Sequence, residues 1–115
     1  MATTTLPLNK FRLLTSTLAS GSNLIYQEDI DASTIILSAQ ITNMTNTVQR
    51  VDVSVQKSGS LSQTTLLRNA AIPPEESLNP LAGKVVLERN EALYFNTATA
   101  GSLQAVLSVL ENANN

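Results

Sequence analysis

Neither cysteine nor histidine occurs in the 115 residues, and tryptophan is absent too. Without them the chain has no disulfide framework, no thiolate or imidazole catalyst and no zinc site of the Cys/His kind. Charge is sparse: 14% of residues are Asp, Glu, Lys or Arg, against about 25% in ordinary soluble domains. The net charge is −2, and Lys10, Arg12, Arg50, Lys57, Arg68, Lys84 and Arg89 are scattered with no basic run. Nucleic-acid binding needs clustered cations that displace counterions, so no nucleic-acid partner is expected. No apolar run approaches the ~20 residues of a membrane-spanning helix. Met1 to Lys10 lacks the basic-then-apolar order of a secretory signal. The expectation is a soluble protein made in the cytoplasm, with no membrane partner. The four glycines are isolated, so neither a phosphate-cradling loop nor a G-x-S-x-G nucleophile elbow is present.

What remains is aliphatic and polar. Hydrophobic residues make up 43% and aromatics 3%, so the core must be built from Ile, Leu, Val and Ala. A surface of Thr, Ser, Asn and Gln suits a subunit covered by its neighbours, or a secreted protein. The length suits one domain. Residues 1–10 read as an N-terminal arm and 11–115 as a single domain. In the arm, Leu6, Pro7 and Leu8 are apolar enough to dock on a neighbour; a disordered tail is the alternative.

Period-two alternation dominates the domain. In Ser33 to Thr42, Ile35, Leu37, Ala39 and Ile41 fall on one face, and Ile36, Ser38, Gln40 and Thr42 on the other. Val51, Val53 and Val55 alternate with Arg50, Asp52, Ser54 and Gln56. With the turn-rich NMTNT between them, these two segments read as an antiparallel hairpin with one wet face. Weaker strands are expected over Lys10 to Leu18 (Phe11, Leu13, Thr15 and Thr17 on one face), Ser22 to Gln27, Thr64 to Ile72, Lys84 to Leu87 and Ala92 to Asn96. Pro73-Pro74 ends one of them. The last segment matches a helix through Leu103, Val106, Leu107 and Leu110, and a strand through Leu103, Ala105, Leu107 and Val109; a strand completes the sheet and is preferred. The spacing of turns predicts an all-β antiparallel sandwich, jelly-roll or immunoglobulin-like, with about seven to eight strands.

Chemistry is hard to find. Catalysis by serine would need a Lys or Asp partner, and the serines sit singly in loops and on polar faces. Glu28, Asp29 and Asp31, or Glu75 and Glu76, could act as paired carboxylates, and the first three could hold a hard cation, but both clusters read better as solvated turn residues. Asn43-Met44-Thr45 matches a glycosylation sequon by chance. Tyr26 and Tyr94 could present rings to a carbohydrate, although core packing is the plainer role. No catalytic residue, cofactor or metal is expected.

The second half, LLRNAAIPPEESLNPLAGKVVLERNEALYFNTATAGSLQAVLSVLE, resembles small virion structural proteins of tailed phages, particularly the cyanophage-like ones. The cadence is carried by Ile72, Pro73, Ser77, Leu78, Gly83, Lys84, Val85, Val86, Leu87, Glu88, Leu93, Val109, Leu110 and Glu111. Ile25-Tyr26 and Ile35 to Leu37 extend it more loosely, to roughly residues 22–111. Where such proteins often carry Gly-Asp this chain has Arg89-Asn90-Glu91, and asparagine tolerates the left-handed backbone a glycine would supply. The resemblance implies a structural role in head, neck or tail and no active site. The expectations it supports are a capsid decoration or cement protein located in the virion. Such a subunit would be a homo-oligomer, guessed a trimer, that binds a phage capsid or tail protein. The contact residues would be Leu6, Pro7 and Leu8 of the arm and Ile72, Pro73, Pro74, Leu78 and Pro80 of a proline-stiffened loop. A neck, tail or baseplate component is the close alternative, and a carbohydrate- or host-surface-binding module a more distant one.

Overall fold

A computed structural model describes residues 9–27, 33–57, 59, 62–81, 83–88 and 90–112. All regular structure in these residues is β, in nine strands: β1 (Asn9–Thr17), β2 (Gly21–Gln27), β3 (Thr34–Asn43), β4 (Gln49–Gln56), β5 (Gln63–Ile72), β6 (Ser77–Leu78), β7 (Val85–Leu87), β8 (Ala92–Thr97) and β9 (Leu103–Asn112). Two antiparallel sheets result. One runs β1-β9-β3-β6, with β7 also on β3; the other runs β2-β8-β4-β5. Because β6 pairs with Ile41–Thr42 and β7 with residues 34–36, the two short strands are one interrupted edge strand lying along β3.

The pairs β1 with β9, β2 with β8, β3 with β6 and β7, and β4 with β5 are those of a long antiparallel ribbon folded across itself. That is jelly-roll winding, and it decides between the two sandwich types the sequence leaves open. The sheets face each other over an aliphatic core. Ile36, Ala39, Ile41, Leu87, Leu103, Ala105, Leu107 and Val109 come from the first sheet; Tyr26, Val51, Val53, Ile72, Leu93 and Phe95 come from the second. Phe95 is the largest fully buried side chain. The closing segment is a strand, and its strand-spaced set Leu103, Ala105, Leu107 and Val109 is the buried one.

Two expectations are corrected. The segments at Ser33–Thr42 and Gln49–Gln56 do not pair with each other. β3 lies in the first sheet and β4 in the second, so NMTNT is a corner between sheets. Alternation along a strand reports a wet face but not the strand that sits beside it. The inward set of β3 also differs. Thr34 and Ile36 are buried, then a register shift between Ile36 and Ser38 inserts Leu37 as an extra residue opposite β9. Such a bulge exchanges the faces, so Ala39, Ile41 and Asn43 point inward beyond it while Ile35 and Leu37 are only half-buried.

The corner at the end of β3 is pinned by one side chain. Asn43 is 1% exposed. Its Nδ2 donates to the carbonyls of Thr47 (2.7 Å), Ile72 (2.9 Å) and Pro73 (3.2 Å). Its Oδ1 accepts from Thr45 N (2.9 Å) and Thr45 Oγ1 (2.7 Å). The Asn43 backbone N–H donates to Glu76 O at 2.8 Å, and Met44 N–H to Ser102 O at 2.8 Å. Asn43 thus ties the end of β3 to the corner at Thr45 and Thr47 and to the end of β5, while Met44 ties the corner to the β8–β9 loop; an amide so enclosed is no glycan acceptor.

Candidate interaction surface

The outer face of the first sheet is one of the two broad faces that the sandwich presents. Register places Phe11 beside Leu110, Leu110 beside Ile35, and Ile35 beside Val86. The inward neighbours Val109, Ile36 and Leu87 are buried, so this row of four faces outward. Phe11 is 72% exposed and Val86 56%, while Ile35 and Leu110 are half-buried. Leu13, 66% exposed, lies one step along β1 and shares a shallow depression with Phe11 and Leu37. Beyond it the face turns polar, through Thr15, Thr17, Gln40 and Gln104, with Val106 among them. No outward position of β1, β3 or β9 named here carries a charge. Singly exposed apolar side chains need no explanation, but a contiguous row on an uncharged face makes this the candidate interaction surface.

The sequence reading grouped Phe11, Leu13, Thr15 and Thr17 correctly and left open which way they point; the answer is outward. Alternation alone puts Ile35 and Leu37 on the face of Ala39 and Ile41, and the bulge moves them to this surface. The sequence carries no signal of the row, because its members come from four strands.

The opposite, inward side of the same end is closed by polar contacts. Arg12 Nη1 pairs with Glu111 Oε2 at 3.2 Å, and Tyr26 donates its hydroxyl to the same carboxylate. Tyr26 Oη also lies 3.0 Å from Thr34 Oγ1. Tyr26 is therefore a buried anchor and Tyr94 is half-buried. At the neighbouring edge Lys57 Nζ meets the buried Glu91 carboxylate at 2.8 Å, and Glu91 Oε1 accepts from Glu88 N at 2.9 Å. The hydrogen bond and charge of Glu91 raise the Lys57 ammonium above its ordinary pKa. Asn90, in this turn, adopts φ 65°, the left-handed conformation anticipated for it.

The residues singled out as contacts are distributed as follows. Leu6, Pro7 and Leu8 lie outside the described residues, as do Glu28, Asp29 and Asp31. Ile72 is 0% exposed and belongs to the core. Pro80 is buried, Leu78 half-buried against the core, and Pro73 and Pro74 exposed. Glu75 and Glu76 are exposed in the same loop, where Glu76 N bonds Pro73 O at 3.2 Å. Among the described residues no group of three acidic side chains could hold a metal ion, and no helix is long and apolar enough to cross a membrane.

The fold thus defines a jelly-roll sandwich protein, a class that serves many functions and specifies none. No family model matches the chain, and no curated protein matches it. Solved structures do. A chain of Bacillus endospore appendages, described as disulfide-linked pili, is similar at a TM-score of 0.59 and 12% identity, covering 97% of this chain and 94% of that one. The Drosophila NLP core, described for pentamer formation and histone binding, is similar at 0.54 and 17%, covering 94% and 100%. A chain of the acid-stable capsid of Helicobacter pylori bacteriophage KHP30 is similar at 0.54 and 11%, covering 91% and 87%. At these identities the likeness is one of fold.

Proposed function

We propose that the chain is a non-enzymatic structural subunit of a phage virion that decorates or cements the capsid by packing against other subunits. The observation that carries this reading is the uncharged outer face of the β1-β9-β3 sheet with its apolar row. Such a face is stabilised by being covered, and it offers no group with which to do chemistry. The likeness to a phage capsid chain and the phage-like cadence of the second half support it. In this reading Leu6, Pro7 and Leu8 dock on a neighbouring subunit. Pro73 and Pro74 present the stiff loop, while Ile72 and Pro80 hold it from inside. The chain assembles as a small homo-oligomer with interfaces of about 1,600 Å².

The pilus-like neighbour suggests another assembly, but disulfide linkage is closed to a stretch without cysteine. A carbohydrate-binding role for Tyr26 is disfavoured by its burial and its engaged hydroxyl. A neck or tail position is separated by copy number.

The test is co-expression with a major capsid protein from the genome that encodes the chain, followed by gradient sedimentation of the assembled shells. Co-sedimentation at hundreds of copies per particle is expected; six or twelve would place the chain in the neck or tail. A chain that stays at the top of the gradient with shells present refutes the reading.

A further inference from the structure

We propose that β1 is an assembly edge, pairing antiparallel with β1 of a second copy about a twofold axis at Leu13 to continue the first sheet across two subunits. This deepens the virion-subunit reading by naming a partner surface.

The case rests on a contrast among the sheet edges. Open strand edges invite pairing with other chains, and proteins blunt them with bulges, breaks, short strands and charged side chains. Here β2 has a register shift between Leu24 and Tyr26. β5 bulges opposite Val51 to Ser54, with Asn69 at φ 54°. β6 and β7 are two and three residues long. β1 has no bulge or break; its charges are Lys10 and Arg12, both in its N-terminal half, and Arg12 is already paired with Glu111. Its sequence NKFRLLTST holds neither glycine nor proline, and its nine residues pair with β9 without one shift. Among the described residues no strand lies against its other side.

The register follows from charge. A twofold axis normal to the sheet sets residues i and j opposite each other with the same face outward. Centred on Leu13 it pairs all nine residues: Leu13 with itself, Phe11 with Thr15, Arg12 with Leu14, Lys10 with Ser16. No like charges meet. Moved one residue toward the N-terminus, the axis sets Arg12 against Arg12. Moved one residue the other way, it leaves Asn9 and Lys10 without strand partners. Arg12 already has its counter-ion in Glu111, so pairing strands no charge. Phe11 and Leu13 of both copies then lie on one face and extend the apolar row across the junction. A twofold contact of this kind makes the closed unit a dimer rather than the trimer guessed from sequence.

The natural absence of cysteine permits a clean test by cross-linking. Directly opposed residues of antiparallel strands have Cα atoms about 4.5–5.5 Å apart, within disulfide reach. The variants are Leu13→Cys, Phe11→Cys, Thr15→Cys and, as an exposed control away from β1, Val48→Cys. Under mild oxidation Leu13→Cys is expected to form covalent dimer at least tenfold faster than Val48→Cys. Phe11→Cys alone should be slow, but fast in an equimolar mixture with Thr15→Cys. Wild type should sediment as a dimer at micromolar concentration.

A monomeric wild type overturns the proposal, and so does a dimer in which Leu13→Cys and the Phe11→Cys/Thr15→Cys mixture link no faster than the control. Dimers that cross-link at Leu13 yet ignore capsid shells leave this inference standing and remove the virion reading. Monomers that decorate shells do the reverse.

Discussion

Replacing Asn43 tests how the sandwich holds its corner. Asn43→Ala removes a buried amide that donates to Thr47, Ile72 and Pro73 carbonyls and accepts twice from Thr45. The two amide protons serve three carbonyls, so one contact is shared. Deletion leaves the Ile72 carbonyl short of a partner in the interior, at about 1–3 kcal/mol, and loses three or four less buried bonds at about 0.5–1 kcal/mol each. The expected loss is about 3–5 kcal/mol, a large part of the ~5–15 kcal/mol that holds a domain together. With a urea m-value of about 2 kcal/mol/M, the midpoint of equilibrium unfolding falls by about 2 M with the slope unchanged.

Asn43→Asp sharpens the test. It keeps the acceptor facing Thr45 and turns the donor into an oxygen among carbonyls. Burial and those carbonyls disfavour the charged form, so the folded-state pKa of the new carboxyl is raised above the ordinary value of about 3.9. A raised folded pKa means stability that is fully present below the unfolded pKa and lost as pH rises through the folded one. Measured as a difference from wild type at each pH, the variant is nearest to wild type below about pH 4 and falls away above it. A loss under about 1 kcal/mol for Asn43→Ala, or a pH-independent difference for Asn43→Asp, refutes the pinned corner.

Three further outcomes are expected. Phe95→Ala, at the centre of the core, should destabilise by about 3–5 kcal/mol in chemical denaturation; a loss under about 1.5 kcal/mol would mean that the sheets are not packed on this ring. In the β5 bulge Asn69 sits at φ 54°, and Asp52 Oδ1 accepts its N–H at 2.6 Å. Asn69→Gly should therefore be near neutral while Asn69→Val loses about 1–2 kcal/mol, and equal effects would contradict the left-handed backbone. For Lys57 the folded pKa is raised by Glu91, so its contribution is complete below the ordinary lysine value of 10.5 and is lost as pH rises through the raised one. Lys57→Met should flatten that alkaline decline in a pH series of thermal melts, and an unchanged profile would show the pair to be unimportant.

The Leu103 to Leu110 segment illustrates what periodicity can and cannot say. Helix and strand spacings were both present, and the strand prevailed because β9 is hydrogen-bonded between β1 and β3, partners that local spacing does not encode. The residues expected as contacts divide in the same way. Pro73 and Pro74 are exposed, as a proline-stiffened loop suggests, whereas Ile72 points into the core because it ends β5 opposite Gln49. The apolar row was illegible for a related reason. Phe11, Leu110, Ile35 and Val86 are remote in sequence and become neighbours through register alone.

The sequence by itself determined the β character, the single aliphatic core and the lack of Cys and His chemistry, because alternation and composition are properties of consecutive side chains. Tertiary structure decided the strand partners, the face on which Ile35 and Leu37 lie, and the direction in which Phe11 and Leu13 look. Those depend on a one-residue bulge and on pairings such as Arg12 with Glu111, 99 positions apart. A side chain's environment there is set by the strand across the ladder rather than by the residue beside it in the chain.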